Sequence, residues 1–265
     1  NDANSDLIES IEGRVVTITF NRPKSLNAVT RPMLQELHSK LVRLRSDDNI
    51  GVIIITGAGR AFCAGGDVKS MASGRDDDIS LEKRAQMLRQ RMEVARLLHE
   101  IDKPTIAMVR GPAAGAGMSI ALACDIRMAS VSAKIITSFS KVALSGDFGG
   151  SWFLTKLVGA AKARELYFFS DKLNAKEALS LGLFNKIFSE DALESETLKV
   201  AHRLADGPSV ALGFMKKNLN AALTQPLSQC LDIEALHHAC ASQTLDHREA
   251  ALAFVEKRNP AFIGK

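Results

Sequence analysis

Two short segments rich in glycine and alanine are the places where the main chain could do chemistry. They are residues 56–67, TGAGRAFCAGGD, and residues 111–117, GPAAGAG. Small side chains let a ligand approach the main chain, and glycine permits backbone angles that direct N–H groups outward. The second segment leads into a predicted helix, whose first N–H groups lack partners and favour negative charge. Two such loops facing one pocket would form an oxyanion hole; the alternative is two tight turns that let helices pack on strands.

Other glycine motifs match less well. Gly57-x-Gly59-x-x-Phe62 follows a predicted strand, but a dinucleotide-binding turn has glycine rather than phenylalanine at the third position. A phosphate-binding G-x-x-x-x-G-K-[ST] loop is absent from the sequence. Ser119 lies in a near match to a nucleophile elbow, but the final glycine is missing and several residues separate it from Val109, the predicted strand end. These patterns disfavour a dehydrogenase, an NTPase and an α/β-hydrolase.

The elements that must position the loops alternate between strands and helices. β-branched and apolar runs predict strands at residues 15–20, 52–56 and 105–109. Thr30 can cap a helix whose leucines recur at helical spacing, and a long amphipathic helix is predicted from Leu81 through Leu98. After Ser151 the chain is mostly helical in pattern. We therefore predict an α/β core, residues 1–200, followed by a helical region, residues 201–265.

Composition narrows the class of protein. The net charge is +4 and the pI is about 8.9. Basic residues are scattered, apart from a run at helical spacing formed by Arg84, Arg89, Arg91 and Arg96. Because only 5 % of residues are aromatic and could stack on bases, we predict no nucleic-acid partner. No stretch is apolar enough to cross a bilayer. The four cysteines form no C-x-x-C pair, which indicates a reducing compartment and predicts a cytoplasmic location. His237 and His238 cannot share a ligand face on one helix, so no metal site is predicted.

Four segments, in order and at matching intervals, resemble motifs of the crotonase superfamily, the enoyl-CoA hydratase/isomerase family. They are NRPKSLNA (21–28), FCAGGD (62–67), GPAAGAGMSIALACDI (111–126) and FVEKR (254–258). The resemblance covers essentially the whole chain. It implies a spiral of β-β-α units over residues 1–200 and a C-terminal helical region over residues 201–265 for trimerisation and for covering coenzyme A. A homotrimer or hexamer is the assembly it implies.

The resemblance also implies roles for single residues. The backbone N–H groups of Gly66 and Ala116 would form the oxyanion hole. Lys257 would reach a phosphate of coenzyme A. The path of the adenine and pantetheine would be lined by Lys24, Leu26, Ala64, Asp67 and Val68. The implied ligand is an acyl-CoA thioester, and no separate cofactor is expected because coenzyme A is part of the substrate.

Departures from the family pattern bear on the reaction. Hydratases of this family use two glutamates, and this chain has Ser119 and Phe139 at those positions. Residues 139–152, FSKVALSGDFGGSW, resemble a branch that includes ring-type enoyl-CoA isomerases with a catalytic aspartate, here Asp147, although Gly146 replaces the usual proline. Phe139 would add apolar surface for a bulky acyl group or simply pack in the core. The alternative for Asp147 is a turn or helix-capping residue.

One carboxylate suffices to move a proton between two carbons, whereas hydration needs a second group to activate water. The sequence therefore favours an isomerase that shifts a double bond from the 3,4 to the 2,3 position through an enolate. Three alternatives remain: a hydratase with a non-standard water-holding site, a hydrolase or lyase that shares the enolate, and a non-catalytic acyl-CoA binding protein.

Overall fold

The computed structural model describes residues 5–67 and 79–265. Its strands are β1 (Leu7–Glu12), β2 (Val15–Phe20), β3 (Val52–Gly57), β4 (Thr105–Val109), β5 (Pro112–Ala114), β6 (Ile126–Ser130), β7 (Lys134–Ile136), β8 (Leu173–Asn174) and β9 (Lys186–Phe188). Its α-helices are α1 (Arg31–Arg45), α2 (Leu81–Arg91), α3 (Glu93–Glu100), α4 (Ala116–Ala123), α5 (Gly150–Phe169), α6 (Ala175–Ser180), α7 (Leu193–Ala205), α8 (Ser209–Ala222), α9 (Leu227–Ser242) and α10 (Leu245–Glu256). Short 3₁₀ helices cover Pro23–Ser25 and Phe139–Val142.

A six-stranded sheet forms the centre of the fold, in the order β1-β2-β3-β4-β6-β9. β1 and β2 are antiparallel, and every later pair is parallel. β3 and β4 are buried at every residue, as expected for parallel strands covered on both faces. One face packs against α7 through a cluster that includes Ile54 and Leu193, and α1, α3 and α4 cover the other face. The predicted α/β core is confirmed.

The second sheet, β5-β7-β8, is short and follows directly from the first. β4 ends at Val109, and only Arg110 and Gly111 separate it from β5, after which α4 begins at Ala116. This strand–strand–helix step brings the glycine-rich segment 111–117 to the end of the buried strand β4. The carboxyl end of the neighbouring parallel strand β3 carries the other glycine-rich segment. The two loops therefore start at adjacent positions of one sheet edge.

Helix α1 begins as predicted. The Thr30 side chain accepts a hydrogen bond from the Met33 N–H at 3.4 Å, and the buried face is formed by Met33, Leu34, Leu37, Leu41 and Leu44. The predicted helix from Leu81 to Leu98 is wrong in part. The chain forms two helices that meet at Met92, and α2 has no buried residue, with Leu81 71 % exposed. Burial starts only at Val94, because α3 rather than α2 packs on the core.

The C-terminal helices differ in how firmly they join the core. α8 is anchored by buried Lys216, whose Nζ donates to the carbonyl oxygens of Leu98 and Lys103 and lies 2.7 Å from Oδ2 of Asp125. α9 has no buried residue. α7 runs across residue 200 while packing on the sheet, so the boundary between residues 1–200 and 201–265, and the role of the second region, stay predictions. Within the described ranges, no helix has the length and apolarity that a membrane span requires.

Candidate active site

The loop of residues 57–67 is held by the segment just before α1. Asn27 is fully buried; its side-chain amide donates to the carbonyl oxygens of Ala58 at 2.9 Å and Ala61 at 2.7 Å. The Ala64 N–H donates to the Leu26 carbonyl at 2.9 Å, and the Val29 N–H donates to the Gly65 carbonyl at 2.8 Å. These bonds satisfy the carbonyl groups of Ala58, Ala61 and Gly65 and the N–H of Ala64, and they do not use the N–H of Gly66.

The two glycine-rich loops pack directly on each other. Cys63 pairs with Ala113 in a parallel bridge, and the Ala114 N–H donates to the Cys63 carbonyl at 2.9 Å. Gly65 has φ +102°, and a β-carbon there would lie 3.0 Å from the Ala114 carbonyl oxygen and 3.7 Å from the backbone nitrogen of Ala116. Glycine is needed at residue 65 both for this φ and for this contact. The two loops are therefore in direct contact, and their role as an oxyanion hole stays a prediction.

Gly66 and Ala116 carry the N–H groups that the resemblance assigns to an oxyanion hole. Ala116 is the first residue of α4, where the N–H has no intrahelical acceptor. In the described part of the chain, no hydrogen bond uses the N–H of either residue. Two unpaired donors on adjacent loops, one at a helix N-terminus, are suited to a developing negative charge on an oxygen atom.

Asp147 lies in a tight turn between the 3₁₀ helix at 139–142 and α5. Its backbone carbonyl accepts from the Gly150 N–H at 3.0 Å, but its side chain makes no capping bond to the helix. Oδ1 of the carboxylate is buried and has no hydrogen-bond partner among the described residues. Burial raises the pKa of Asp147 to about 6, against a smaller opposing effect of the positive charge on Arg91. A carboxylate with a pKa near neutrality is suited to accept and return a proton.

Asp147 faces the same region as the loops. The pKa of the Cys63 thiol, which lies at the contact between the loops, is raised mainly by burial. The negative charge of Asp147 raises it further. The ring of Phe139 lies 3.8 Å from where a β-carbon on Gly115 would stand. Ser119 is fully buried, and its hydroxyl donates to the Gly115 carbonyl at 3.2 Å. The fold therefore gathers Asp147, Phe139 and both loops, which are far apart in sequence.

Tyr167 is a residue of this site that the sequence did not reveal. It lies on α5, twenty residues after Asp147, and its ring stacks on Phe139 with centroids 5.6 Å apart and planes at 20°. Its hydroxyl is buried and has no hydrogen-bond partner in the ranges described. Arg91, whose positive charge lowers the pKa of Asp147, stands in the sequence only as one member of a basic helical run. The signal that could have drawn attention to Tyr167 is that the sequence has a single tyrosine.

The residues predicted to bind coenzyme A differ in where they lie relative to the two loops. Lys24 is exposed on the 3₁₀ helix 23–25, next to Leu26, and Ala64 is half-buried on the first loop. Asp67 is the last residue of that loop and forms an ion pair with Arg22 at 3.4 Å. Val68 lies outside the described residues.

Lys257 ends α10 in a left-handed conformation with its side chain exposed. Among the described residues, no hydrogen bond or ion pair connects it to either loop. The ligand-binding roles of all these residues, Lys257 included, stay predictions.

Comparison with known proteins agrees with the geometry. The family model described as enoyl-CoA hydratase/isomerase matches residues 10–265. The chain is 35 % identical over 262 residues to 1,2-epoxyphenylacetyl-CoA isomerase of Escherichia coli (strain K12), covering 98 % of each. It is 31 % identical over 264 residues to crotonyl-CoA hydratase of Syntrophomonas wolfei, covering 99 % of this chain and 100 % of the relative.

Among solved structures, an enoyl-CoA hydratase from Polaromonas sp. JS666 superposes with a TM-score of 0.91 at 33 % identity, covering 97 % of this chain and 99 % of that one. The predicted spiral fold is thereby confirmed. The match extends over both loops, the Asp147 turn and the C-terminal helices. This chain belongs to the enoyl-CoA hydratase/isomerase family.

Proposed function

We propose that this protein is an acyl-CoA isomerase that shifts a double bond from the 3,4 to the 2,3 position of the acyl chain. The observation that carries the proposal is the Asp147 carboxylate, which is buried, has an unpartnered Oδ1 among the described residues and has a pKa near 6. Such a group is ionised at neutral pH, yet it is basic enough to hold a proton during a reaction.

In the proposed reaction the thioester carbonyl oxygen accepts hydrogen bonds from the N–H groups of Gly66 and Ala116. Asp147 takes a proton from C2, and the electron pair of that C–H bond moves toward the carbonyl to form an enolate conjugated with the 3,4 double bond. The same carboxyl group then returns the proton to C4 as the double bond moves to the 2,3 position. The proton and the electrons balance, and no other reactant is needed. Each oxyanion-hole donor typically contributes about 3 kcal/mol of transition-state stabilisation.

Two features favour isomerisation over hydration. Ser119 and Phe139 occupy the positions that hold glutamates in the family's hydratases, and neither side chain is a base. The Ser119 hydroxyl is also already donated to the Gly115 carbonyl. The relatives carry both names: one that is 35 % identical bears the name of an isomerase, and two that are 37 % and 31 % identical bear the name of a hydratase. We keep hydration as the second candidate on the strength of those two relatives.

Binding of coenzyme A follows from the same proposal. Lys24, Leu26, Ala64, Asp67 and Val68 would line the path from the adenine to the thioester, and Lys257 would meet a phosphate in an assembly of three or six chains. Three of these residues lie on or beside the first loop: Ala64 and Asp67 belong to it, and Leu26 accepts a hydrogen bond from the Ala64 N–H. That arrangement supports a thioester placed between the loops with its acyl end toward Asp147.

The test is turnover of 3-hexenoyl-CoA in D₂O by the wild type, Asp147→Asn and Ser119→Ala. We expect the wild type to form 2-hexenoyl-CoA, with deuterium at C4 in those turnovers in which the proton on Asp147 exchanges with solvent before its return. Asp147→Asn should be slower by roughly 10²–10⁴-fold with coenzyme A binding near normal, and Ser119→Ala should be changed much less. Isomerisation and exchange at the wild-type rate by Asp147→Asn would overturn the assignment.

Mass spectrometry of the product separates the remaining activities. Gain of a water molecule would identify a hydratase, cleavage of the acyl chain a hydrolase or lyase, and an unchanged thioester a binding protein. Each of these outcomes would replace the isomerase proposal. Crotonyl-CoA, which can be hydrated but has no 3,4 double bond, serves as the matched substrate.

A further inference from the structure

The hydroxyl of Tyr167 lies beside the main chain on both sides of Asp147. A β-carbon on Gly150 would stand 2.7 Å from this hydroxyl, and one on Gly146 would stand 3.4 Å from it. The tyrosine ring is fixed from the other side by its stacking on Phe139. The position of the hydroxyl is therefore set by packing and does not depend on a hydrogen bond.

Two polar atoms in this corner of the site lack protein partners. The Tyr167 hydroxyl and Oδ1 of Asp147 are both buried, and neither forms a hydrogen bond with another described residue, including with each other. An unsatisfied buried hydroxyl is costly, so such a group is normally completed by a water molecule or by a bound ligand. The nearby Ser119 hydroxyl provides a contrast, since it is donated to the Gly115 carbonyl at 3.2 Å.

We propose that Tyr167 is a specificity-determining residue that donates a hydrogen bond to an oxygen atom on the acyl group of the substrate. The substrate class is then an acyl-CoA thioester whose acyl chain carries a hydroxyl, oxo or ether oxygen. That oxygen would lie close to C2 and C4, the carbons between which Asp147 moves the proton. The inference rests on the proposed function because that function places the acyl group between the two loops and Asp147.

The protonation state of the phenol agrees with a donor role. Burial raises the pKa of Tyr167 above its ordinary value, and the negative charge of Asp147 raises it further. The phenol therefore keeps its proton at neutral pH. A plain hydrocarbon chain would leave this donor unpaired, whereas an acyl oxygen would satisfy it. Sites that hydrogen-bond a substrate oxygen discriminate strongly against the analogue that lacks it.

Binding of saturated ligands tests the inference separately from the reaction. Titration calorimetry would compare hexanoyl-CoA with 3-, 4- and 5-hydroxyhexanoyl-CoA on the wild type, Tyr167→Phe and Ser119→Ala. We expect the wild type and Ser119→Ala to prefer at least one hydroxylated ligand, and Tyr167→Phe to lose about tenfold in affinity for that ligand while hexanoyl-CoA changes little. Equal losses for both ligands, or no preference in the wild type, would overturn the inference.

A spectroscopic measurement keeps the inference testable if Tyr167→Phe does not fold. Because the chain has one tyrosine, wild-type protein labelled with ¹³Cζ-tyrosine gives a single phenolic resonance that reports Tyr167 alone. We expect the preferred hydroxylated ligand to shift this resonance well beyond the shift caused by hexanoyl-CoA; identical shifts would contradict the proposal. These ligands have no double bond to move, so a failed isomerase assay leaves this result standing, and a failed binding test leaves the isomerase proposal standing.

Discussion

Gly117 packs against the carbonyl of Cys63 so closely that a β-carbon on residue 117 would lie 2.3 Å from the carbonyl oxygen. The same oxygen accepts the Ala114 N–H at 2.9 Å. The Cys63 carbonyl of the first loop thus contacts both β5 and α4, the strand and the helix that flank the second loop. We expect this contact to constrain the spacing between the N–H groups of Gly66 and Ala116, the two proposed oxyanion donors.

Gly117→Ala should push the two loops apart. A methyl group at 2.3 Å from a backbone oxygen cannot be accommodated without a main-chain shift, so we expect the free energy of unfolding to fall by about 1–3 kcal/mol. Turnover should fall more than coenzyme A binding, because the shift moves the oxyanion donors. Urea unfolding and steady-state kinetics measure the two effects. A variant with wild-type stability and kinetics would show that the loops tolerate a wider separation.

Gly66→Pro should remove one oxyanion donor, since proline has no N–H. We expect turnover to fall by more than about 100-fold in a protein that remains folded by circular dichroism. Ala116→Gly is the matched control, because it changes the side chain of the other donor residue but keeps its N–H, and it should retain most activity. Full activity in folded Gly66→Pro would rule out that donor.

The rate should depend on pH through Asp147. Because the pKa of this carboxyl group is raised to about 6 and the base must be ionised, kcat/KM should increase about tenfold per pH unit below 6 and level off above it. The measurement is a profile of kcat/KM for 3-hexenoyl-CoA from pH 5 to 9. A flat profile through pH 6 would contradict Asp147 as the base.

Stability should depend on pH in the opposite direction. Between the ordinary value of 3.8 and the folded value of about 6, the folded protein binds more protons at Asp147 than the unfolded chain does. This carboxyl group therefore lowers the free energy of unfolding as pH rises through that window, by about 3 kcal/mol in total. Asp147→Asn should remove this dependence and be the more stable protein above pH 6. The measurement is the free energy of unfolding of both proteins from pH 4 to 8. If the Asp147 side chain were solvated, the difference in free energy between the two proteins would not change with pH.

The C-terminal helices should be covered in an assembly. Large apolar side chains are exposed along α9 and α10, namely Leu227, Leu231, Leu236, Leu245, Leu252, Phe254 and Val255. Large apolar side chains exposed in this number usually indicate that part of the surface is covered by a partner. We expect a trimer or hexamer by light scattering, and Lys257→Ala should weaken coenzyme A binding more than it weakens assembly. A stable monomer with unimpaired coenzyme A binding would contradict both expectations.

The sequence by itself determined the features that depend on local pattern. Alternating and continuous apolar runs located β2, β3 and β4, the Thr30 cap located the start of α1, and the glycine-rich segments located both loops. The resemblance to the family identified Gly66, Ala116 and Asp147 as candidates from short motifs. It could do so because each motif is contiguous, so its residues are recognisable without knowledge of distant contacts.

Only the tertiary structure decided which residues surround Asp147. The raised pKa of Asp147 arises from burial, Tyr167 joins the site because α5 folds back over Phe139, and the helix predicted from Leu81 divides at Met92 because only α3 meets the core. β1 was missed since its sequence, LIESIE, is neither a continuous apolar run nor a strict alternation, and it forms by pairing with β2 at the sheet edge. These properties depend on desolvation and on contacts between segments far apart in the chain, which local residue patterns do not encode.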